Sequence, residues 1–239
     1  MAVLALEAVT KRFAGLTAVD SVTFAVEEGE LVGLIGPNGS GKTTLLNIMS
    51  GLLRPDGGRV LLDGADVTGL PANRLARRGL LRMFQLTRLF RQISAFDNLL
   101  VVGRALGMDA AEAAERAERL FADLQLAHVR NLDAGQLSGG QQKLLEFGAC
   151  FMRPPRVALL DEPFAAVHPT MRQIMADFVR RHHTDGQTFV LVSHDMPIVK
   201  ELCPRAVCMN AGTVIADGPT DQVLADPAVI EAYLGGHAA

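Results

Sequence analysis

The sequence predicts an α/β fold: a parallel-sheet core around a phosphate-binding loop, with an inserted helical segment. Three observations predict it. First, Gly36-Pro37-Asn38-Gly39-Ser40-Gly41-Lys42-Thr43 reads G-x-x-x-x-G-K-T, with the apolar run Leu31–Ile35 before it and helix-spaced apolar residues in Thr44–Met49 behind it. Second, the apolar runs Val157–Leu160 and Thr188–Val192 each stop at polar residues, as buried parallel strands do where an α/β sheet binds its ligand. Third, from Thr87 to about Arg153 the apolar residues recur at helical spacing.

In chain order, Leu4–Thr10 and Ser21–Val26 read as strands, with Thr17 to Val19 in the connection or at the edge of the second. Glu27-Glu28-Gly29-Glu30 is a turn. Leu31–Ile35 is the strand into the loop, and the helix after it ends at Gly51. Pro55–Gly58 is a turn, Arg59–Gly64 a strand closing in a turn, and Pro71 opens a short helix through Arg78. Leu80–Gln85 is a further strand. Asp109 with Glu112 reads as a helix cap, followed by an apolar face of Ala110, Ala113, Ala114, Ala117, Leu120, Phe121 and Leu124. Glu112, Glu115, Arg116, Glu118 and Arg119 fall on the opposite face. Thr170 to about Thr184 is a helix. Ala206–Asn210 and Thr213–Asp217 form a hairpin around Ala211-Gly212, and two short helices close the chain near Thr220–Leu224 and Pro227–Leu234.

With 239 residues, 49% of them apolar, the chain suits one large α/β unit or a core with a subdomain. No unbroken apolar run is long enough to span a bilayer. The N-terminus lacks a charged n-region and a long h-region, so no signal peptide is expected. Cys150, Cys203 and Cys208 show neither metal spacing nor a disulfide framework, which points to free thiols in a reducing compartment. A net charge of −3 carries no basic excess and argues against a nucleic-acid partner.

The chemistry starts at the glycine loop. Gly36, Gly39 and Gly41 let successive backbone N–H groups turn toward one anion, and the helix end adds free donors. Lys42 supplies a point charge for the outer phosphates, and the Thr43 hydroxyl can hold magnesium. Asp161 ends a buried strand, where a carboxylate can hold the same ion; Glu162 can reach an attacking water as base or positioner. Two strand-end carboxylates facing solvent are the plainer alternative. His194, also after a buried strand, can bond the γ-phosphate or the water; a polar loop residue is the plainer reading. Leu137-Ser138-Gly139-Gly140-Gln141 reads both as a helix cap with its box partner and as an exposed anion site. Arg74, Arg77, Arg78, Arg82, Arg88 and Arg91 form a basic stretch, read as a solvated face in preference to a membrane or channel contact.

Taken in this order, Gly36–Thr44, Gln85, Leu137–Gln141, Asp161-Glu162 and His194 resemble the ATP-binding cassette (ABC) ATPases. The resemblance covers essentially the whole chain, and the LSGGQ run is its most specific motif. It implies a P-loop NTPase core with an antiparallel β subdomain (1–86 and 154–239) and an inserted helical subdomain (87–153). It implies ATP and Mg2+, and two cassettes paired head to tail. Ser138, Gly139, Gly140 and Gln141 of one chain would then face the γ-phosphate held by the other. Gly36, Pro37, Asn38, Gly39, Ser40, Gly41, Lys42, Thr43 and Thr44 would hold the phosphates, and Thr43, Gln85 and Asp161 the metal. Phe13 matches the aromatic that stacks on adenine, although a core phenylalanine fits the same place.

Four stretches look most like the ATP-binding subunits of branched-chain (hydrophobic) amino acid importers: Leu31–Gly39, Arg82–Gln85, Leu89–Arg91 and the tail Leu224–Gly235. The implied partners are transmembrane permease subunits, a second cassette that is either a copy of this chain or a paralogue and, indirectly, a periplasmic binding protein, at the cytoplasmic face of the membrane. Urea-import and lipopolysaccharide-export cassettes look similar, the latter through Glu162-Pro163-Phe164-Ala165. A soluble cassette acting on DNA or ribosomes, or a regulatory subunit without turnover, are readings of a different class. Two departures stand out. His168 sits where the family usually has Asp or Asn before proline, and Gly148-Ala149-Cys150 replaces a more common Ala-Arg-Ala.

Overall fold

The computed structural model describes residues 1–83, 89–165 and 167–235. In chain order the elements are β1 (Ala2–Phe13), β2 (Leu16–Glu27), β3 (Leu31–Ile35), α1 (Lys42–Met49), β4 (Gly57–Leu62), β5 (Ala65–Asp66), α2 (Ala72–Arg77), β6 (Leu80–Met83), α3 (Ala95–Ala105), α4 (Ala110–Asp123), α5 (Gly139–Ala149), β7 (Val157–Asp161), α6 (Pro169–Thr184), β8 (Thr188–Val192), α7 (Met196–Leu202), β9 (Arg205–Asn210), β10 (Thr213–Pro219), α8 (Thr220–Ala225) and α9 (Pro227–Gly235). None of the described helices is long and apolar enough to cross a membrane.

The chain divides into two compact units. One comprises Met1–Arg82, Arg156–Glu162 and the chain from His183 onward; the other comprises Met83–Pro155 and Pro163–His182. The sequence predicts that all of 154–239 belongs to the core. Packing groups 163–182 with the helices because Phe178 of α6 meets Phe147 and Phe151, with ring centroids 5.1 and 4.8 Å away.

In the first unit, an antiparallel sheet runs β2-β1-β4-β5 and a second sheet runs β10-β9-β3-β8-β7-β6. β3 pairs in parallel with β8 and β9, β7 pairs in parallel with β8, and β10 runs antiparallel to β9. Every residue of β3, β7 and β8 is buried, which is why these strands read as unbroken apolar runs. Register sets the site: Leu34 and Asp161 both lie opposite Val192, so Gly36, Glu162 and Ser193 emerge at one edge of the sheet. The core beneath includes Leu4 and Leu6 of β1, Leu45 and Leu46 of α1, and Val32, Leu34, Val190 and Val207.

β1 and β2 are longer than the sequence suggests and meet at Ala14-Gly15, so residues 17–19 lie within β2. The extension rests on Asp56, whose carboxylate bonds Lys11 Nζ at 2.8 Å and accepts the Arg12 N–H at 2.7 Å. The short strand β5 has no counterpart in the sequence reading.

In the second unit, Asp109 caps α4 by accepting the Glu112 N–H at 2.8 Å. Ala113, Ala117, Leu120 and Phe121 are buried as the periodicity predicts, while Ala110 at the helix start is exposed. Arg116, expected on the solvent face, donates to Phe151 O at 2.9 Å, and burial lowers its pKa. Gly148 has a packing reason: a Cβ there would lie 2.7 Å from Leu124 Cδ1.

Candidate functional site

Three glycines of the phosphate loop, Gly36, Gly39 and Gly41, have left-handed backbone, and two of them have no room for a side chain. Gly36 has φ +143° and Gly41 φ +102°; a Cβ would come within 2.1 Å of Met209 O at the first and 2.3 Å of Ala18 O at the second. No larger residue fits either position. Gly41 opens α1, whose first turn carries neither a side-chain cap nor an acidic residue. Its N–H donors and the positive end of its dipole therefore suit an anion. Lys42 folds over the loop and donates to Gly36 O at 2.7 Å, Pro37 O at 2.9 Å and Ser40 Oγ at 3.3 Å. Burial lowers the Lys42 pKa, against the opposing pull of Glu162, Cys208 and Asp161. A phosphate oxygen would compete with those three acceptors for the ammonium.

Asp161 is buried at the end of β7, and its Oδ2 accepts Arg82 Nη2 at 2.7 Å. Arg82 also donates to Asn47 Oδ1 at 2.6 Å and Ser50 Oγ at 3.1 Å of the α1 segment. This corrects the reading of the basic stretch. Arg74, Arg77, Arg78 and Arg91 are exposed, but the Arg82 side chain is only 7% exposed and neutralises a buried carboxylate. The sequence signal was an arginine inside a strand otherwise made of Leu and Met. With Oδ2 engaged by Arg82, Oδ1 is the oxygen suited to a cation.

Glu162 follows with φ +47°, a conformation that costs a side-chain-bearing residue of order 1 kcal/mol or more. Its N–H donates to Val192 O at 2.9 Å, which ties the turn to β8. The turn swings the carboxylate onto the end of the neighbouring strand. There Oε1 accepts the His194 N–H at 2.9 Å and lies 2.8 Å from His194 Nδ1, and Oε2 accepts Ser193 Oγ–H at 3.3 Å. Ser193 was not singled out from the sequence; a serine before the histidine carries no local signal of its own. The His194 ring is largely exposed, whereas the Glu162 side chain is 16% exposed.

Phe13 is 46% exposed, with Lys11 Nζ 5.6 Å from its ring centre, so it is not a core phenylalanine. Gln85 lies outside the described residues, as do Phe84, Leu86, Thr87, Arg88 and Ala166. Among the described residues no cluster of three His, Cys, Asp or Glu side chains could cage a metal. Magnesium needs less, one or two protein oxygens with phosphate and water completing its shell; Thr43 in the first turn of α1 and Asp161 at the end of β7 carry oxygens of that kind.

Ser138 and its glycines belong to the other unit. Ser138 Oγ accepts the Gln141 N–H at 3.3 Å, and Gln141 Oε1 accepts the Ser138 N–H at 2.9 Å, completing the capping box. Gln141 Nε2 lies 3.3 Å from His128 Nε2, so this glutamine is used within its own chain. Ser138 and Gly139 are exposed. His168 is exposed too; its Nδ1 accepts the Thr170 N–H at 3.4 Å and its carbonyl the Arg172 N–H at 2.9 Å, which caps α6. Cys150, Cys203 and Cys208 are free, and burial raises their pKa values to about 12, 12 and 11.

Comparison with known proteins places this geometry. Residues 19–165 match the family model described as ABC transporter, and residues 213–239 match one described as branched-chain amino acid ATP-binding cassette transporter. The chain is 37% identical over 252 residues to the high-affinity branched-chain amino acid transport ATP-binding protein BraF of Pseudomonas aeruginosa, covering 98% of each. It is 36% identical over 250 residues to the Escherichia coli K12 protein LivG, of the same description, covering 97% of each. The lipopolysaccharide export system ATP-binding protein LptB of Acidithiobacillus ferridurans is 36% identical over 225 residues, with 94% and 93% covered. Among solved structures, the ADP conformation of MJ1267, an ATP-binding cassette of an ABC transporter, superposes with a TM-score of 0.87 at 32% identity, covering 98% of this chain and 99% of that one. The dimeric post-hydrolysis state of the cassette MJ0796, bound to ADP and Pi, gives 0.80 at 27% identity, covering 91% and 98%.

Proposed function

The chain belongs to the ATP-binding cassettes of the ABC transporter family, and from that premise we propose that it is the ATP-hydrolysing subunit of an importer of branched-chain or other hydrophobic amino acids. The observation that carries the hydrolytic part is the convergence of Lys42, Asp161, Glu162 and His194 at one sheet edge. The match of residues 213–239 to the branched-chain model supports the cargo. The similarity to an export cassette, together with Glu162-Pro163-Phe164-Ala165, keeps lipopolysaccharide export as the second reading.

In this reading Phe13 stacks on the adenine, while the loop from Gly36 to Thr44 and Lys42 hold the phosphates. Thr43, Asp161 and Gln85 would hold Mg2+, which supplies charge neutralisation on the β- and γ-phosphates when bound. Arg82 fixes the Asp161 carboxylate so that its other oxygen faces the cation. Glu162 orients the attacking water and takes its proton on Oε2, whose contact with Ser193 Oγ is the longer one at 3.3 Å, whereas Oε1 is held twice by His194. Ser138 and Gly140 reach the γ-phosphate of a second cassette, and Gln141 contributes by holding the cap in shape. Closing and reopening of that pair is an equilibrium shifted by nucleotide, and it would drive separate permease subunits from the cytoplasmic face.

The test is reconstitution of the purified chain with the permease subunits and binding protein of a branched-chain amino acid importer. Turnover stimulated by leucine, isoleucine or valine supports the import reading. Stimulation by lipopolysaccharide alone would replace it with export. No MgATP hydrolysis under any of these conditions would make the chain a regulatory nucleotide-binding subunit.

A further inference from the structure

The strand β3 stops at Ile35, opposite Cys208 of β9, so the N–H of Gly36 lies beyond the sheet ladder. A buried donor left there without a partner would carry a desolvation penalty. The acceptor comes from the far end of the chain: Gly36 N–H donates to Tyr233 Oη at 2.6 Å. The other backbone group of the same residue, Gly36 O, accepts Lys42 Nζ at 2.7 Å. One peptide position is therefore held on one side by the C-terminal helix and on the other by the lysine that meets the phosphates.

α9 is built to deliver this hydroxyl. Val229 and Tyr233, four residues apart, share its inward face; Val229 is 2% exposed, and Tyr233 is half-buried. Ile230 and Leu234 occupy the outward face. Burial raises the Tyr233 pKa, so the ring stays a neutral phenol able to accept the Gly36 N–H and donate its own proton. The helix lies within residues 213–239, the segment matched by the branched-chain model, whereas Gly36 lies within the segment matched by the general cassette model.

We propose that Tyr233 is a positioning residue for nucleotide binding: its hydroxyl fixes the first glycine of the phosphate loop, so that the C-terminal helix sets the shape of the phosphate cradle. The proposal rests on the reading that this loop holds the phosphates of ATP. Tyr233→Phe keeps the ring and removes only the acceptor. Titration of the full chain with a fluorescent ATP analogue should show binding about 3- to 10-fold weaker, the effect of one hydrogen bond. KM should rise by a similar factor, with kcat within about twofold of the parent. Hydrogen exchange at the Gly36 amide should speed up by a comparable factor. Leu234→Ala, on the exposed face, should change none of these.

Affinity within about 1.5-fold of the parent, with unchanged Gly36 exchange, would overturn the proposal. If the parent chain binds no nucleotide, the functional reading fails instead, and Gly36 exchange alone decides the contact. Should Tyr233→Phe not fold, the intact chain labelled with 3-fluorotyrosine gives a single 19F resonance, because Tyr233 is its one tyrosine. That resonance should move when MgADP is added, and a fixed resonance at saturating MgADP would overturn the proposal.

Discussion

Glu162 and His194 form a bonded pair: Oε1 of the carboxylate lies 2.8 Å from Nδ1 of the ring and accepts the His194 backbone N–H at 2.9 Å. Glu162 follows β7 and His194 lies two residues past β8, so sheet register brings the two close and the left-handed turn at Glu162 aims the carboxylate. Oε1 is held twice by His194, and Oε2 carries a longer bond of 3.3 Å from Ser193 Oγ.

His194→Ala should therefore lower kcat by about 100-fold while changing MgATP affinity by less than about threefold, because the carboxylate loses the ring and keeps only the backbone N–H and Ser193, while the cradle is intact. Single-turnover hydrolysis alongside equilibrium binding checks this. Equal losses in both would mean that the ring serves binding instead.

Arg82 and Asp161 make the most deeply buried ion pair among the described residues, with side chains 7% and 3% exposed. Arg82→Met leaves an uncompensated buried carboxylate and should destabilise the protein by about 3–5 kcal/mol, read as a lower urea midpoint. The double variant Arg82→Met/Asp161→Leu should recover much of that loss, since both charges are then gone. A single variant with an unchanged midpoint would contradict the pairing.

Ser138 is asked to do two things, and two substitutions separate them. Ser138→Ala removes the cap of α5 and should cost about 1 kcal/mol of stability. Ser138→Asp keeps a capping acceptor but sets a carboxylate against the phosphate of a partner. It should be about as stable as the parent, with ATP turnover down by at least about 100-fold. Normal turnover in Ser138→Asp would reduce this serine to a helix cap.

Tyr233 offers a pH test without mutagenesis, because the chain has one tyrosine and no tryptophan. Its pKa is raised from 10.0 to about 12, chiefly by burial, with a smaller push from Cys208. Absorbance at 295 nm should show the folded chain ionising near pH 12 and the urea-unfolded chain near pH 10. A raised folded pKa means that the native state holds the proton more tightly. The associated stability is complete below about pH 10 and is lost as pH climbs from 10 toward 12. Native ionisation at the unfolded value would show the hydroxyl free in solvent.

The parts of the fold that rest on local pattern were legible. β3, α1 and the hairpin of β9 and β10 fall where apolar runs and glycines put them, to within a residue or two. The residues hidden from local reading depend on partners far away in the chain. Arg82 looks like surface charge until Asp161, 79 residues on, is folded against it. β1 extends past Thr10 because Asp56 bonds its polar end. Residues 163–182 follow a core strand in sequence, but Phe178 packs with Phe147 and Phe151. Phe13 matched a motif position, and only its exposure separates a stacking platform from a core residue.

In the proposed cycle two cassettes close on MgATP and Glu162 orients the attacking water. Sedimentation of Glu162→Gln with and without MgATP, alongside its turnover, tests both halves at once. The expected result is a dimer with MgATP, a monomer without it, and turnover below about one hundredth of the parent's. A variant that stays monomeric at saturating MgATP, or hydrolyses at the parental rate, would contradict the account.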